Sequence, residues 1–169
     1  EGPRVSASPE PWVRTRDELD RMAADLRESP IIALDSESDS LHHHREKVCL
    51  LQVAAEGGRT WLVDPLVLRD LAPLAPLIAD PRVLKVFHGA DYDVTTMRRD
   101  FGFTFAGLFD TMIAARFLGL PAVGLQAVAQ SELGIALSKD SQKDDWSRRP
   151  LTPTQERYAR DDVRHLLTL

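Results

Sequence analysis

The chain holds a single cysteine, Cys49, no long apolar run and no excess of basic residues. A lone cysteine excludes a disulfide framework, and its place inside "KVCLLQVAA" suits a reducing, cytoplasmic compartment. No stretch approaches the roughly 20 apolar residues of a membrane-spanning helix, and the opening "EGPRVSASPEPW" lacks the apolar core of a signal peptide. A membrane partner is therefore not expected. The formal charge is −5, whereas proteins that bind nucleic acid without selectivity carry a basic surplus. An enzyme that grips its substrate through metal ions escapes that constraint. No Cys/His cluster has the spacing of a zinc site. No internal repeat or linker divides the 169 residues, and 43% hydrophobic content is enough for one substantial core. One domain is expected, preceded by a disordered leader over residues 1–12. The absence of an initial methionine, and an end at "HLLTL" within a helical pattern, suit a piece of a longer protein.

What is present reads as strands followed by helices. "TRDELDRMAADLRES" opens with Thr15 and Glu18 at capping-box spacing and puts Leu19, Met22, Ala23 and Leu26 on one helical face. "IIAL", "VCLLQVA", "TWLVD" and "VLKVF" read as strands. The first three are joined by connections too short for a crossover helix, which predicts an antiparallel meander. The fourth follows a helical segment near residues 68–79 and is placed parallel to the first. Helices are then expected over 91–101, over 110–120 with Asp110 as N-cap, over 125–133, and from about residue 152. The polar stretch "SKDSQKDDWSRRP" reads as a mobile loop. The class implied is α/β or α+β, a sheet with helices packed on it.

Acids stand at three informative places. Asp35 and Glu37 follow the first apolar run two residues apart, so they project from the same side of the strand end. Two carboxylates held together repel, and they suit either a solvated loop or a cation between them. Asp91 and Asp93 stand in the first turn of the helix after "KVFHG", where a favourable encounter with the helix dipole is reason enough for an acid. In "ERYARDDVRHLL", at about 100° per residue, Ala159, Val163, Leu166 and Leu167 form an apolar face and Arg157, Arg160 and Arg164 a solvated flank. Tyr158 and Asp162 fall one turn apart on the opposite shoulder, a half-buried ledge, while Asp161 points further out. A structural Tyr-Asp pair fits that ledge as well as a functional one. His42, His43 and His44 read as an exposed loop, since three consecutive residues cannot easily face one ion. His88 is placed to meet a substrate phosphate.

Together Asp35, Glu37, Asp93, Tyr158 and Asp162 resemble the four-acid-plus-tyrosine signature of the DEDDy group of 3′-5′ exonucleases. "DDWSRRPLT" ahead of "YARDD", with "VFHGADYDV" and "LFDTMIAARFLGL", is similar to the corresponding segments of ribonuclease D and its exosome-associated relatives. The resemblance runs from about residue 31 to about residue 167. It implies an RNase H-like fold, with a mixed sheet of antiparallel meander plus parallel strands flanked by helices. It also implies two divalent ions, Mg²⁺ or Mn²⁺, held by Asp35, Glu37, Asp93 and Asp162, and it selects Asp93 over Asp91. Carboxylates are hard oxygen ligands that suit either ion. Tyr158 is then expected to hold the attacking water, and a nucleoside 5′-monophosphate to leave. Leu41 matches a position that wedges against the terminal base, and His88 and Trp146 are further expected substrate contacts. The expected activity is 3′-5′ hydrolysis of single-stranded nucleic acid, with RNA favoured over DNA and a non-catalytic binding module as the competing class. The helical accessory domains of the family are not among these 169 residues.

Overall fold

The computed structural model describes residues 10–169. Its strands are β1 (Trp12–Val13), β2 (Ile31–Ser38), β3 (Val48–Ala55), β4 (Thr60–Val63), β5 (Leu84–Phe87) and β6 (Leu108–Asp110), hydrogen-bonded in the order β1-β4-β3-β2-β5-β6. The expected meander is present: β2 pairs antiparallel with β3, and β3 with β4. β5 lies parallel to β2, as its position after a helical connection implies.

Two edge strands escape the sequence pattern. β6 runs parallel to β5 where only helices were expected; three residues are too few to show an alternation. β1 is parallel to β4 and begins at the last residue of the expected leader, its Trp12 paired with Leu62 and stacked under the Arg14 guanidinium at 3.9 Å. Residues 1–9 of that leader lie outside the described residues. β2 is also longer than its apolar run. Asp35 and Glu37 lie within the strand, not past its end, because β3 offers partners as far as Ser38.

The helices are α1 (Arg16–Leu26), α2 (Ala75–Ala79), α3 (Ala90–Phe101), α4 (Thr111–Phe117), α5 (Leu125–Val128) and α6 (Pro153–Arg164). Thr15 caps α1 with the expected capping box, and Thr152 with Gln155 does the same for α6. The helix expected over 68–79 shrinks to α2 and a preceding 3₁₀ turn. Pro73 and Pro76 confine helix to the segments they begin, since proline is tolerated only in a first turn. α5 gives way to a π-helical turn over Ala129–Leu133, which Gly134 ends with a positive φ.

The alternation along β2 divides the core between the two faces of the sheet. Ile32 and Leu34 join Leu19, Met22, Leu26, Val53 and Met97 under α1 and α3. Ala33 points the other way and packs with Ala54, Val86, Val163 and Leu166 under α6. Small side chains at 33 and 54 let α6 come close to the sheet. Asp35 and Glu37 share the Ala33 face, and so look toward α6.

Two parts of the α6 environment differ from the sequence reading. Arg160 is buried, 4% exposed, instead of lying on a solvated flank. Its guanidinium donates to Thr60 O at 3.3 Å, Thr60 Oγ1 at 3.1 Å and Glu10 O at 3.1 Å, because Thr60 of β4 and Glu10 lie over that side of the helix. The segment "SKDSQKDDWSRRP" is anchored, not loose. Arg149 donates to both oxygens of the buried Asp64, at 2.8 and 3.0 Å, and to Cys49 O at 2.7 Å. Cys49 precedes the first β3 residue paired with β4, so its carbonyl has no ladder partner on that side.

Candidate active site

β2 continues past Ala33 after its pairing with β5 ends, leaving that edge of the strand free. The chain leaves β5 at Phe87, turns at Gly89 in a left-handed conformation (φ +80°), and starts α3 against this free edge. The Asp110 carboxylate fixes the turn by accepting from Gly89 N at 3.0 Å and Ala90 N at 2.8 Å while it caps α4. Asp93 is thereby set beside β2, where Ser36 Oγ donates to its Oδ1. Asp91, on the same helix turn, is exposed and faces away.

From the opposite side α6 delivers Tyr158 and Asp162, each 7% exposed, so the ledge is buried more deeply than expected. Carboxylate oxygens of Asp35, Glu37 and Asp162 lie within 4.8 Å of one another. Asp93 lines the same cleft, of about 470 Å³, together with Tyr158, Leu41 and His88. Asp161 points outward and pairs with Arg164 at 3.7 Å.

Crowding four acids into a poorly hydrated place raises their proton affinity. Burial pushes Asp35 well above the usual carboxylate range, and the charges of Asp93, Asp162 and Glu37 push it further. Glu37 is raised by burial and then by Asp162 and Asp93. Burial takes Asp93 to about 6 against the Ser36 hydrogen bonds, and Asp162 to about 7 against the bond from the Tyr158 hydroxyl. Tyr158 itself is raised by burial and by the surrounding carboxylates, so it stays a neutral phenol at physiological pH. Among the described residues Lys139 is the one cation lining the cleft. A set of hard oxygen donors without matching positive charge fits divalent metal.

Of the expected substrate contacts, Leu41 stands 69% exposed on the cleft lining. His88 also borders the cleft, its Nδ1 2.9 Å from Thr111 Oγ1. Trp146 does not reach it. The indole is 1% exposed and packs with Cys49, Leu50, Leu62 and Leu151 behind Tyr158, because Arg149 draws its segment onto the sheet. His42 and His43 are exposed as expected and contact Lys143 O and Ser147 Oγ, outside the carboxylate group. Ser36, which the signature does not include, is marked in the sequence only by its place between two acids.

The α/β sheet and its acidic cleft define a class of site, a group of carboxylates on one face of a sheet that can hold divalent metal. The chain belongs to the 3′-5′ exonuclease family, whose family model matches residues 11–169. It is 40% identical over 163 residues to a ribonuclease D of Pseudomonas paraeruginosa, an alignment covering 96% of this chain and 43% of that protein. The catalytic core of RRP6 from Trypanosoma brucei superimposes with a TM-score of 0.89 at 33% identity, covering 99% of this chain and 47% of that one. Escherichia coli RNase D, described as an exoribonuclease involved in structured RNA processing, gives 0.88 at 31%, covering 95% and 43%. The chain thus spans less than half the length of these relatives.

Proposed function

We propose that this chain is a catalytic domain that hydrolyses single-stranded RNA stepwise from its 3′ end, releasing nucleoside 5′-monophosphates in RNA processing or decay. The observation that carries the reading is the meeting of Asp35, Glu37 and Asp162 on one face of the sheet, with Asp93 beside them. These four are the residues to hold two divalent ions, Mg²⁺ or Mn²⁺. Bound there, such ions supply Lewis-acid stabilisation of the phosphate and lower the pKa of water. Tyr158 keeps its proton and turns its hydroxyl toward Asp162, which leaves its oxygen free to accept a hydrogen bond from the attacking water and orient it. Leu41 and His88, on the lining of the cleft, are the side chains to meet the terminal nucleotide. The description of the Escherichia coli relative as an exoribonuclease supports RNA over DNA. The lone buried Cys49 supports a cytoplasmic setting.

Incubation with 5′-labelled single strands of matched RNA and DNA sequence tests this. A ladder shortening from the 3′ end, dependent on Mn²⁺, abolished by EDTA and faster on RNA, is the expected result. Equal or faster shortening of DNA removes the RNA assignment, and no shortening of either strand overturns the activity.

A further inference from the structure

β3 is buried along its whole length and is apolar except at Gln52, which is 0% exposed. A primary amide in such a run carries a desolvation cost that needs a compensating partner. The register places Gln52 opposite Asp35, so their side chains leave the sheet on the same face, with Glu37 as the diagonal neighbour. The amide nitrogen lies 3.4 Å from Asp35 Oδ2, and the amide is near enough to the Glu37 carboxylate to lower its proton affinity. Its oxygen has no partner among the described residues. A glutamine retained for the sake of the core would have both ends satisfied. This one has its donor turned to the acids and its acceptor left over.

We propose that Gln52 is a positioning residue that gathers Asp35 and Glu37 for divalent cations, an inference that rests on the metal-ion reading of the cleft. A neutral N–H donor holds the two carboxylates side by side in their ionised form. A lysine or arginine in its place would itself neutralise the pair and compete with the cation. An apolar side chain would leave the carboxylates to repel each other and rotate apart. The amide does neither, and from within a rigid central strand it restricts both side chains at once.

The test is calorimetric titration of the whole chain with Mn²⁺ and no substrate, comparing the parent with Gln52→Met, Gln52→Leu and Val53→Ala. Val53 lies in the core on the other face of β3. Gln52→Met and Gln52→Leu are each expected to weaken Mn²⁺ binding about 10- to 100-fold while still melting cooperatively in EDTA. Val53→Ala is expected to lower the melting temperature and leave the affinity within about twofold. If Gln52→Met fails to melt cooperatively, the affinity of Gln52→Leu decides the matter. Parent-like affinity in the folded Gln52 variants overturns the inference while leaving the metal site standing. Absence of Mn²⁺ binding by the parent overturns the metal-ion reading, and this inference with it.

Discussion

The Trp146 indole packs against the ring of Tyr158, their centroids 6.0 Å apart and their planes inclined by 35°. The two residues come from different segments, and the contact seats the phenol whose hydroxyl reaches Asp162. Trp146 therefore acts on the cleft from behind it. Trp146→Ala is expected to cost about 3–5 kcal/mol of folding stability, measured by urea denaturation. It should also lower kcat more than it raises KM, since the lost contact orients Tyr158 without touching substrate. A rise in KM alone would return Trp146 to the substrate-binding surface.

Arg149 closes the same segment onto the sheet from 100 residues away, with Asp64, 1% exposed, as its charge partner. Without Arg149 the buried Asp64 keeps, among the described residues, only the amide of Leu66 and the more distant Arg14, at 3.8 Å. Arg149→Ala is expected to cost about 3 kcal/mol and to shift tryptophan fluorescence toward the red as Trp146 becomes hydrated. An unchanged urea midpoint would show that the segment is held by other contacts.

Within α6, three substitutions separate orientation from charge. Tyr158→Phe is expected to slow cleavage by about 10²-fold or more while leaving stabilisation by Mn²⁺ nearly intact. Asp162→Asn removes a ligand charge and is expected to reduce both. Asp161→Asn, whose parent carboxylate points outward to Arg164, is expected to match the parent. Loss of activity in Asp161→Asn with retention in Asp162→Asn would reverse the assignment.

The raised carboxylates give the metal-free domain a defined response to pH. Asp93 and Asp162 hold their protons to about 6 and about 7 in the fold, against 3.8 for an unperturbed aspartate. The folded chain therefore binds more protons than the unfolded chain between those values. The stability these groups contribute is full at low pH and is lost as pH rises through the folded values. In EDTA the melting temperature is expected to fall from about pH 4 to about pH 7. Mn²⁺ binds the deprotonated acids, so the stabilisation it confers should grow over the same interval. Stability that rises with pH in EDTA would contradict the crowded arrangement.

Much of this protein was legible as a sequence. The capping box of Thr15 and Glu18 and the Asp110 cap are properties of residues a few positions apart, and the meander follows from the short connections between its strands, all governed by backbone geometry that travels with the local pattern. The ordered acids and Tyr158 stood out only through their resemblance to a known signature, since the spacing at each place suits a solvated loop, a helix-dipole acid or a structural pair as well. The edge strands β1 and β6 were not legible, being two and three residues long and owing their conformation to a neighbouring strand. Nor were the burial of Trp146 and Arg160, since a helical wheel or a polar stretch shows direction but not what closes over it. The tertiary structure alone decided that the acids meet. Alanines at 33 and 54 set how near α6 lies to the sheet, the end of β5 frees the edge where Asp93 sits, and Gln52 stands opposite Asp35. Each depends on chain segments far apart in sequence, brought into register only when the core packs.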